Sequence, residues 1–100
     1  MNERSFQFEW DEAKAEVNVR KHGISFELAC TVFHDPRLLT VADLEHSESE
    51  ERWFSVGSAS SGTILSVFYL WSEGDAVTTI RLYSARKATQ SEIHRYQEMR

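Results

Sequence analysis

The chain has 100 residues, of which 41% are hydrophobic and 12% aromatic, and it carries a formal net charge of −5. This length suits one domain with one core, and so many apolar residues exclude an intrinsically disordered chain. The longest apolar-rich run, residues 64–71, is far shorter than the roughly 20 residues of a membrane-spanning helix. Because the protein is acidic overall, any contact with RNA has to be local.

The distribution of charge along the chain indicates where an anionic partner could bind. Residues 1–75 hold 14 acidic and six basic residues, a net charge of −8, whereas residues 76–100 hold two acidic and five basic residues, a net charge of +3. The basic end is either a solvated surface or a patch for a polyanion or an acidic partner.

Cys30 is the only cysteine, and we interpret it as a small buried hydrophobe. The first residues lack the apolar core of a signal peptide, so we expect a cytoplasmic protein without a membrane anchor.

The chain begins with a predicted strand and helix. Residues 6–10 alternate apolar and polar side chains, as a half-buried strand does. Asp11 as N-cap and Gly23 as the residue after the last turn predict a helix over residues 12–22. The residues predicted to face inward on this helix are Ala13 and Val17.

Residues 25–36 predict a second helix. Ser25 is its N-cap, and the helix ends before Pro36, because proline disfavours the α conformation of the preceding residue. Its apolar stripe consists of Leu28, Ala29, Val32 and Phe33.

The second half of the chain predicts strands followed by one helix. Runs rich in β-forming residues mark four strands, at residues 38–42, 52–59, 63–71 and 77–84, and the third of them is apolar on both faces, as in a central strand. The last three strands are joined by short turns, so we expect them to pair antiparallel. Thr89 and Glu92 form a capping box that opens a last helix, with Ile93 and Tyr96 facing inward.

The element order β-α-α-β-β-β-β-α predicts a single α+β domain over residues 1–100. We expect an antiparallel sheet of four to five strands, with two N-terminal helices on one face and a C-terminal helix. Such a sheet leaves open edges, so dimerisation through an edge, or its cover by a partner protein, is expected.

Three short charged motifs carry the candidate chemistry, and the first is Lys21-His22 at the end of the first helix. A cation at this end is stabilised by the helix dipole by about 0.3–1 kcal/mol, which is sufficient to explain both residues. In the functional interpretation, the imidazole of His22 transfers a proton while Lys21 binds a phosphate.

The second motif, residues 46–52, leads into a predicted strand. Its acids Glu48 and Glu50 suit a solvated loop. His46 and Arg52 are the candidates for chemistry, because Arg52 opens the strand at the rim of the sheet, where it pairs with a carboxylate or faces a ligand.

The third motif, residues 81–89, is basic. Arg81 lies inside a strand, so its guanidinium group is either ion-paired or lines a groove. Arg86 and Lys87 precede the last helix, where two cations suit an anion, unless they only belong to a strand-to-helix loop.

Convergence of these groups on one sheet face would support RNA cleavage without a metal. A base removes the 2′-hydroxyl proton, the alkoxide attacks the adjacent phosphorus, and guanidinium groups stabilise the added charge. Trp53, Tyr69 and Tyr83 are candidates for stacking on a splayed base. No acidic triplet has the pattern of a metal cage, so we expect neither a metal nor another cofactor.

Four motifs follow one another along the chain in a recognisable order. They are Phe8-Glu9-Trp10-Asp11-x-x-Lys14, Asn18-x-Arg20-Lys21-His22-Gly23-Ile24-Ser25-Phe26, His46-Ser47-x-x-Glu50-Glu51-Arg52 and Ser84-Ala85-Arg86-Lys87-Ala88-Thr89. In this combination the sequence resembles the BrnT toxins of bacterial type II toxin–antitoxin systems from about residue 8 to residue 96. It departs from the family pattern at Glu12, where proline is frequent, and at Leu82-Tyr83, which replaces a more aliphatic pair.

The resemblance implies a RelE/ParE-like fold and a ribonuclease that arrests translation. It also implies a BrnA-type antitoxin whose ribbon-helix-helix domain binds operator DNA. The assembly that we expect with this antitoxin is a dimer or a heterotetramer. The active surface that it implies consists of Lys21, His22, His46, Glu51, Arg52, Arg81 and Arg86. We assign proton transfer to His22 or His46 with Glu51 as its partner. We assign phosphate binding to the three arginines, supported by Lys21 and Lys87.

Two other functions fit the same residues. One alternative is a non-catalytic module whose basic C-terminal face binds an acidic or amphipathic partner segment. The other is a gyrase-targeting toxin of the ParE type, since one fold hosts several functions. Growth arrest on expression, and the choice of translation or DNA as the target, separate these hypotheses.

Overall fold

The computed structural model describes residues 5–43 and 52–98, in which five strands, three α-helices and one 3₁₀ turn follow the predicted order. The strands are β1 (Ser5–Trp10), β2 (Leu39–Ala42), β3 (Arg52–Ser58), β4 (Ile64–Glu73) and β5 (Val77–Lys87). The helices are α1 (Glu12–His22), α2 (Phe26–Cys30), which continues into the 3₁₀ turn at Thr31–His34, and α3 (Gln90–Glu98). The N-caps predicted for α1 and α2 are confirmed, because Asp11 accepts from the Ala13 N–H and Ser25 accepts from the Leu28 N–H.

The five strands form one mixed sheet in the order β1-β5-β4-β3-β2. β2, β3, β4 and β5 pair antiparallel, whereas β1 lies parallel to β5. The prediction of a purely antiparallel sheet is therefore wrong at this edge. Most of the chain separates β1 from β5, so no hairpin turn imposes an antiparallel direction on this pair.

The helices pack on both faces of the sheet. α2, the 3₁₀ turn and part of α1 cover one face, which we call the helix face. The core on the helix face consists of Ile24, Phe26, Ala29, Val32, Ala59, Leu65, Val67, Tyr69, Ile80, Leu82 and Ala85. α3 packs against β3 on the opposite face, where Val56 is buried. The predicted placement of two N-terminal helices on one face, with a separate C-terminal helix, is confirmed.

One buried polar side chain ties α1 to the sheet. β1 ends at Trp10, beside Leu82, so β5 has no β1 residue next to it at Ala85. Asn18 takes that place. Its amide donates to the carbonyls of Ala85 (2.8 Å) and Ile24 (2.9 Å) and accepts from the Ala85 N–H (3.1 Å). The side chain thus satisfies three buried backbone groups that would otherwise lack partners.

The inward side of α1 differs from the prediction. Val17 is 46% exposed and Ala13 is also exposed, whereas Ala15 is half-buried and Asn18 is buried. The side of α1 that meets β5 has to satisfy backbone groups of that strand. A polar residue therefore occupies the inward position, and the valine lies on the solvent side.

α3 begins with the predicted capping box. Thr89 Oγ1 accepts from the Glu92 N–H at 3.1 Å, and Glu92 accepts from the Thr89 N–H at 2.9 Å. Ile93 and Tyr96 are half-buried as predicted, and the Tyr96 hydroxyl donates to Asp35. No residue of α3 is fully buried, so polar contacts contribute much of what holds this helix on the sheet.

We expect Asn18→Ala to lower the free energy of unfolding by about 3 kcal/mol, because it leaves three buried backbone groups without partners. Urea unfolding followed by circular dichroism measures this change. Val19→Ala is the control, since Val19 lies on the same helix and is 46% exposed. The control should change the free energy by less than about 0.5 kcal/mol. A loss below about 1 kcal/mol for Asn18→Ala would show that water replaces the amide.

Candidate functional site

A β-bulge in β5 determines which side chains share a face of the sheet. Phe68 of β4 pairs with Ser84, and the next residue, Tyr69, pairs with Leu82. Tyr83 is therefore an extra residue in β5. Because side chains alternate along a strand, one extra residue reverses the alternation beyond it.

The bulge places Arg81 and Arg86 on the same face. In a regular strand, the side chains at odd and even positions point to opposite faces of the sheet. Leu82 before the bulge and Ala85 after it are both buried on the helix face. Their neighbours Arg81 and Arg86 therefore both point to the other side. Arg52 joins them, because Arg52 and Arg81 are paired with the same residue of β4.

Aromatic rings lie between these arginines. Phe54 and Phe68 stack with centroids 5.2 Å apart and planes 22° apart, and the Tyr83 ring lies 6.4 Å from Phe68. The guanidinium carbon of Arg52 lies 5.2 Å from the Tyr83 centroid, and that of Arg86 lies 5.2 Å from the Phe68 centroid, both within cation–π range. We call the following six residues the arginine face: Arg52, Arg81, Arg86, Phe54, Phe68 and Tyr83.

The ion pair of Arg81 is exposed and weak. Its Nη1 lies 3.0 Å from Oε1 of Glu9, and the two side chains are 45% and 40% exposed. Exposed pairs of this kind contribute about 0–1 kcal/mol to stability. An anionic ligand can therefore replace Glu9 at little cost.

The ion pair of Arg86, in contrast, is bidentate and partly buried. Its Nη1 and Nη2 donate to the two oxygens of Glu92 at 2.8 and 3.0 Å, and the Ser66 hydroxyl donates to the same carboxylate at 2.8 Å. The hydrogen bond from Arg86 is the largest cause that lowers the pKa of Glu92 to about 2. Arg86 therefore anchors α3 to the sheet. It lies inside β5, which extends to Lys87, beyond the predicted end of this strand at residue 84, so the alternative that Arg86 belongs to a strand-to-helix loop does not hold.

A groove between α1 and β5, of about 510 Å³, adjoins the arginine face and includes Lys21 and His22 in its lining. These two residues end α1, and Gly23, with a φ of 71°, turns the chain away. The other polar side chains of the lining include Lys14, Tyr83 and Ser84. Because Tyr83 lines the groove and also contacts Arg52, predicted site residues from distant parts of the sequence meet around this ring.

Other predicted site residues are not placed on this surface. Lys87 follows Arg86 in β5 and therefore alternates to the opposite side. His46 and Glu51, together with the acids Glu48 and Glu50, lie outside the described residues.

Two of the three aromatic residues predicted to stack on RNA lie on the helix face instead. Tyr69 is 1% exposed, and its hydroxyl forms a 2.6 Å hydrogen bond with that of Ser55. Trp53 lines an apolar groove of about 600 Å³. The other aromatic residues of this groove are Phe6, Phe8, Phe33, Tyr69 and Trp71. Phe54 and Phe68 were not among the predicted site residues. Phe54 lies two residues after Arg52 in β3, so strand alternation was the signal that these two side chains share a face.

The described residues offer little for thiol or metal chemistry. Burial of Cys30, and secondarily the charge of Glu27, raises the pKa of the thiol to about 11. The thiol is therefore protonated at neutral pH and a poor nucleophile, which agrees with a packing role. In residues 5–43 and 52–98, no three His, Cys, Asp or Glu side chains form a group that could hold a metal ion.

A family model described as "Ribonuclease toxin, BrnT, of type II toxin-antitoxin system" matches residues 10–92. The chain belongs to the BrnT family. The resemblance indicated by the four sequence motifs is thus confirmed. Members of this family are ribonuclease toxins, and a type II system implies an antitoxin partner. A search of curated proteins finds no match to the sequence.

The fold agrees with that of a solved BrnT toxin. The 1.1 Å crystal structure of the Brucella abortus ribonuclease toxin BrnT matches with a TM-score of 0.63 and 19% sequence identity, covering 86% of this chain and 100% of that chain. This likeness confirms the predicted α+β fold, with the correction that the sheet is mixed. Across the ranges that the structure describes, no helix has the length and apolar character needed to cross a membrane.

The Arg86–Glu92 pair makes the stability of this BrnT-family protein depend on pH. The folded-state pKa of Glu92, about 2, lies below the usual value of 4.5. The pair therefore stabilises the fold fully above about pH 4.5, and its contribution is lost as the pH falls toward 2. We expect Glu92→Gln to lower the free energy of unfolding at pH 7 by about 1–2 kcal/mol.

Urea unfolding at a series of pH values tests this prediction. The difference between wild type and Glu92→Gln should be constant from pH 7 to about pH 5 and should shrink at lower pH. Glu98→Gln is the matched control, because Glu98 lies on the same helix with a side chain that is 70% exposed. A difference that persists unchanged below pH 3 would assign the effect to packing rather than to charge.

Proposed function

We propose that this BrnT-family protein is an endoribonuclease that cleaves RNA without a metal ion, arrests translation and is neutralised by a BrnA-type ribbon-helix-helix antitoxin. The arginine face is the observation that carries this proposal. It combines three guanidinium groups with three aromatic rings, beside a groove lined by an imidazole and two lysines. Cationic groups interleaved with aromatic rings suit the phosphates and bases of single-stranded RNA.

The proposed reaction transfers the phosphorus from one ribose oxygen to another. A base removes the proton of the 2′-hydroxyl, and this oxygen forms a bond to the adjacent phosphorus. The bond from phosphorus to the 5′ oxygen breaks, and an acid protonates that oxygen. The products are a 2′,3′-cyclic phosphate and a 5′-hydroxyl. Guanidinium groups stabilise the charge on the phosphoryl oxygens in the transition state, which is the part a metal ion would otherwise play.

The two ion pairs support different roles for Arg81 and Arg86. Arg81 exchanges the exposed Glu9 for a phosphate at little cost, whereas Arg86 would have to break a bidentate pair that also involves Ser66. We therefore assign phosphate binding mainly to Arg81 and Arg52, and assign to Arg86 the support of the surface. Electrostatic attraction by Arg86 adds to RNA binding, and Lys87, which points to the opposite side of β5, contributes only at longer range.

Proton transfer is assigned to an imidazole. His22 lines the groove beside Tyr83, and Lys21 on the same turn of α1 is placed to bind a neighbouring phosphate. His46, with Glu51 as its partner, is the other candidate. Both lie outside the described residues, in the segment that leads directly into Arg52.

We expect Arg81→Ala and Arg52→Ala each to reduce RNA cleavage by about 100-fold or more, because each removes a cation that stabilises the transition state. Purified protein, free of antitoxin, is incubated with labelled single-stranded RNA in EDTA. The new ends should be 5′-hydroxyl and 2′,3′-cyclic phosphate.

Arg37→Ala is the control for these variants, since Arg37 is an exposed arginine in the turn before β2. Its cleavage rate should equal that of the wild type. Cleavage that requires Mg²⁺ would contradict the metal-free mechanism. Undiminished cleavage by Arg81→Ala would contradict the assignment of the arginine face.

In cells, expression of the protein without a partner should stop growth and block amino-acid incorporation before any induction of the DNA-damage response. Co-expression of a ribbon-helix-helix antitoxin should restore growth, and we expect the toxin to bind operator DNA only through this partner. Arg81→Ala should be harmless while still co-purifying with the antitoxin. Early DNA damage with continued translation would favour a gyrase target instead. Antitoxin binding without growth arrest would favour a non-catalytic module.

A further inference from the structure

Tyr83 occupies a special position in this molecule, because it is the extra residue of the β5 bulge. The bulge reverses the alternation of β5, and the side chain of Tyr83 points to the arginine face. The ring is half-buried there, on the side of the sheet away from the helix-face core. Packing of that core therefore gives no reason for a large aromatic residue at this position.

The ring contacts Arg52 closely. The guanidinium carbon lies 5.2 Å from the ring centroid, and Phe68 supports the ring at 6.4 Å. The Tyr83 hydroxyl can only accept from a guanidinium group, and the proximity of Arg52 acts to lower the pKa of this hydroxyl. Burial, and secondarily the charge of Asp43, raises the pKa of Tyr83, so the hydroxyl is neutral under physiological conditions.

An arginine side chain that is held in place before the substrate binds stabilises the transition state more effectively than a mobile one. A mobile arginine side chain loses conformational entropy when it is ordered on a substrate. A guanidinium group that a ring and a hydroxyl already hold does not lose this entropy in the reaction. Tyr83 also lines the groove of Lys21 and His22, so it sets the spacing between Arg52 and these groups.

We propose that Tyr83 is a positioning residue for RNA cleavage, whose ring and hydroxyl hold the guanidinium group of Arg52 where it binds the reacting phosphate. This inference rests on the proposed ribonuclease function. It predicts that Tyr83 acts through Arg52, so changes at the two positions do not combine independently.

The test is a double-mutant cycle on cleavage of single-stranded RNA in EDTA. At saturating RNA, Tyr83→Phe, which keeps the ring, should lower kcat about 5-fold, and Tyr83→Leu should lower it about 30-fold. KM should change less than about 3-fold, because Arg81 and Lys21 still bind the RNA. In the Arg52→Ala background, both Tyr83 changes should alter kcat less than about 2-fold.

Tyr69→Phe is the matched control. It removes a tyrosine hydroxyl from the neighbouring strand, but on the helix face, where that hydroxyl bonds Ser55. It should lower the melting temperature and leave kcat unchanged. Melting temperatures of all variants show whether a loss of activity follows a loss of folding.

The possible results separate the two proposals. Wild-type kcat in Tyr83→Leu, or equal fold losses in the presence and absence of Arg52, overturns the positioning role while the ribonuclease function stands. A loss in Tyr83→Leu that tracks only its melting temperature overturns the role as well. A wild-type protein that cleaves no RNA overturns the proposed function, and the positioning role falls with it.

Discussion

The β-bulge at Tyr83 is the constraint on which the charged surface of this protein depends. A strand that paired regularly with β4 would turn Ala85 outward and direct Arg86 into the core of the helix face. Burying an unpaired guanidinium group costs several kcal/mol, so the alternative register is not accessible. The bulge resolves the conflict. It keeps Leu82 and Ala85 in one core and puts both arginines of β5 on the other face.

The same stretch of β5 connects the bulge to α1. Beyond the end of β1, the backbone of Ala85 has to find a partner, and Asn18 supplies it. This contact fixes α1 along the edge of the sheet, and the last turn of α1 carries Lys21 and His22 to the side of Tyr83. A buried hydrogen-bonding requirement thus determines where exposed cationic and imidazole groups lie.

Arg81 and Arg86 lie in one strand, but their ion pairs differ in strength because their partners differ in burial. The pair of Arg81 with Glu9 is exposed and weak, whereas the pair of Arg86 with Glu92 is bidentate, partly buried and holds a helix. Both residues are arginines, so the residue type alone predicts no difference between their ion pairs. The family and its fold are shared by chains whose sequences differ widely, as the 19% identity to the Brucella abortus toxin shows, so the chemistry has to be argued from such local differences.

Local patterns in the sequence were sufficient to predict the helices and strands. Asp11, Ser25 and the Thr89–Glu92 capping box mark helix starts, because caps depend on hydrogen bonds within a few residues. The order of the elements and the four motifs also determined the family, and they named Arg52, Arg81 and Lys21-His22 as candidates. Alternation placed Arg81 correctly, since Ile80 and Leu82 beside it are apolar.

Only the tertiary structure decided the parallel direction of β1, the inward position of Asn18 and the shared face of Arg81 and Arg86. Each of these depends on a partner strand or helix that is distant in the sequence. A bulge in particular is a mismatch between two paired strands, so the residues of β5 alone contain no sign of it. For the same reason Phe68 was recognised as part of the surface only once strand pairing had placed it beside Phe54.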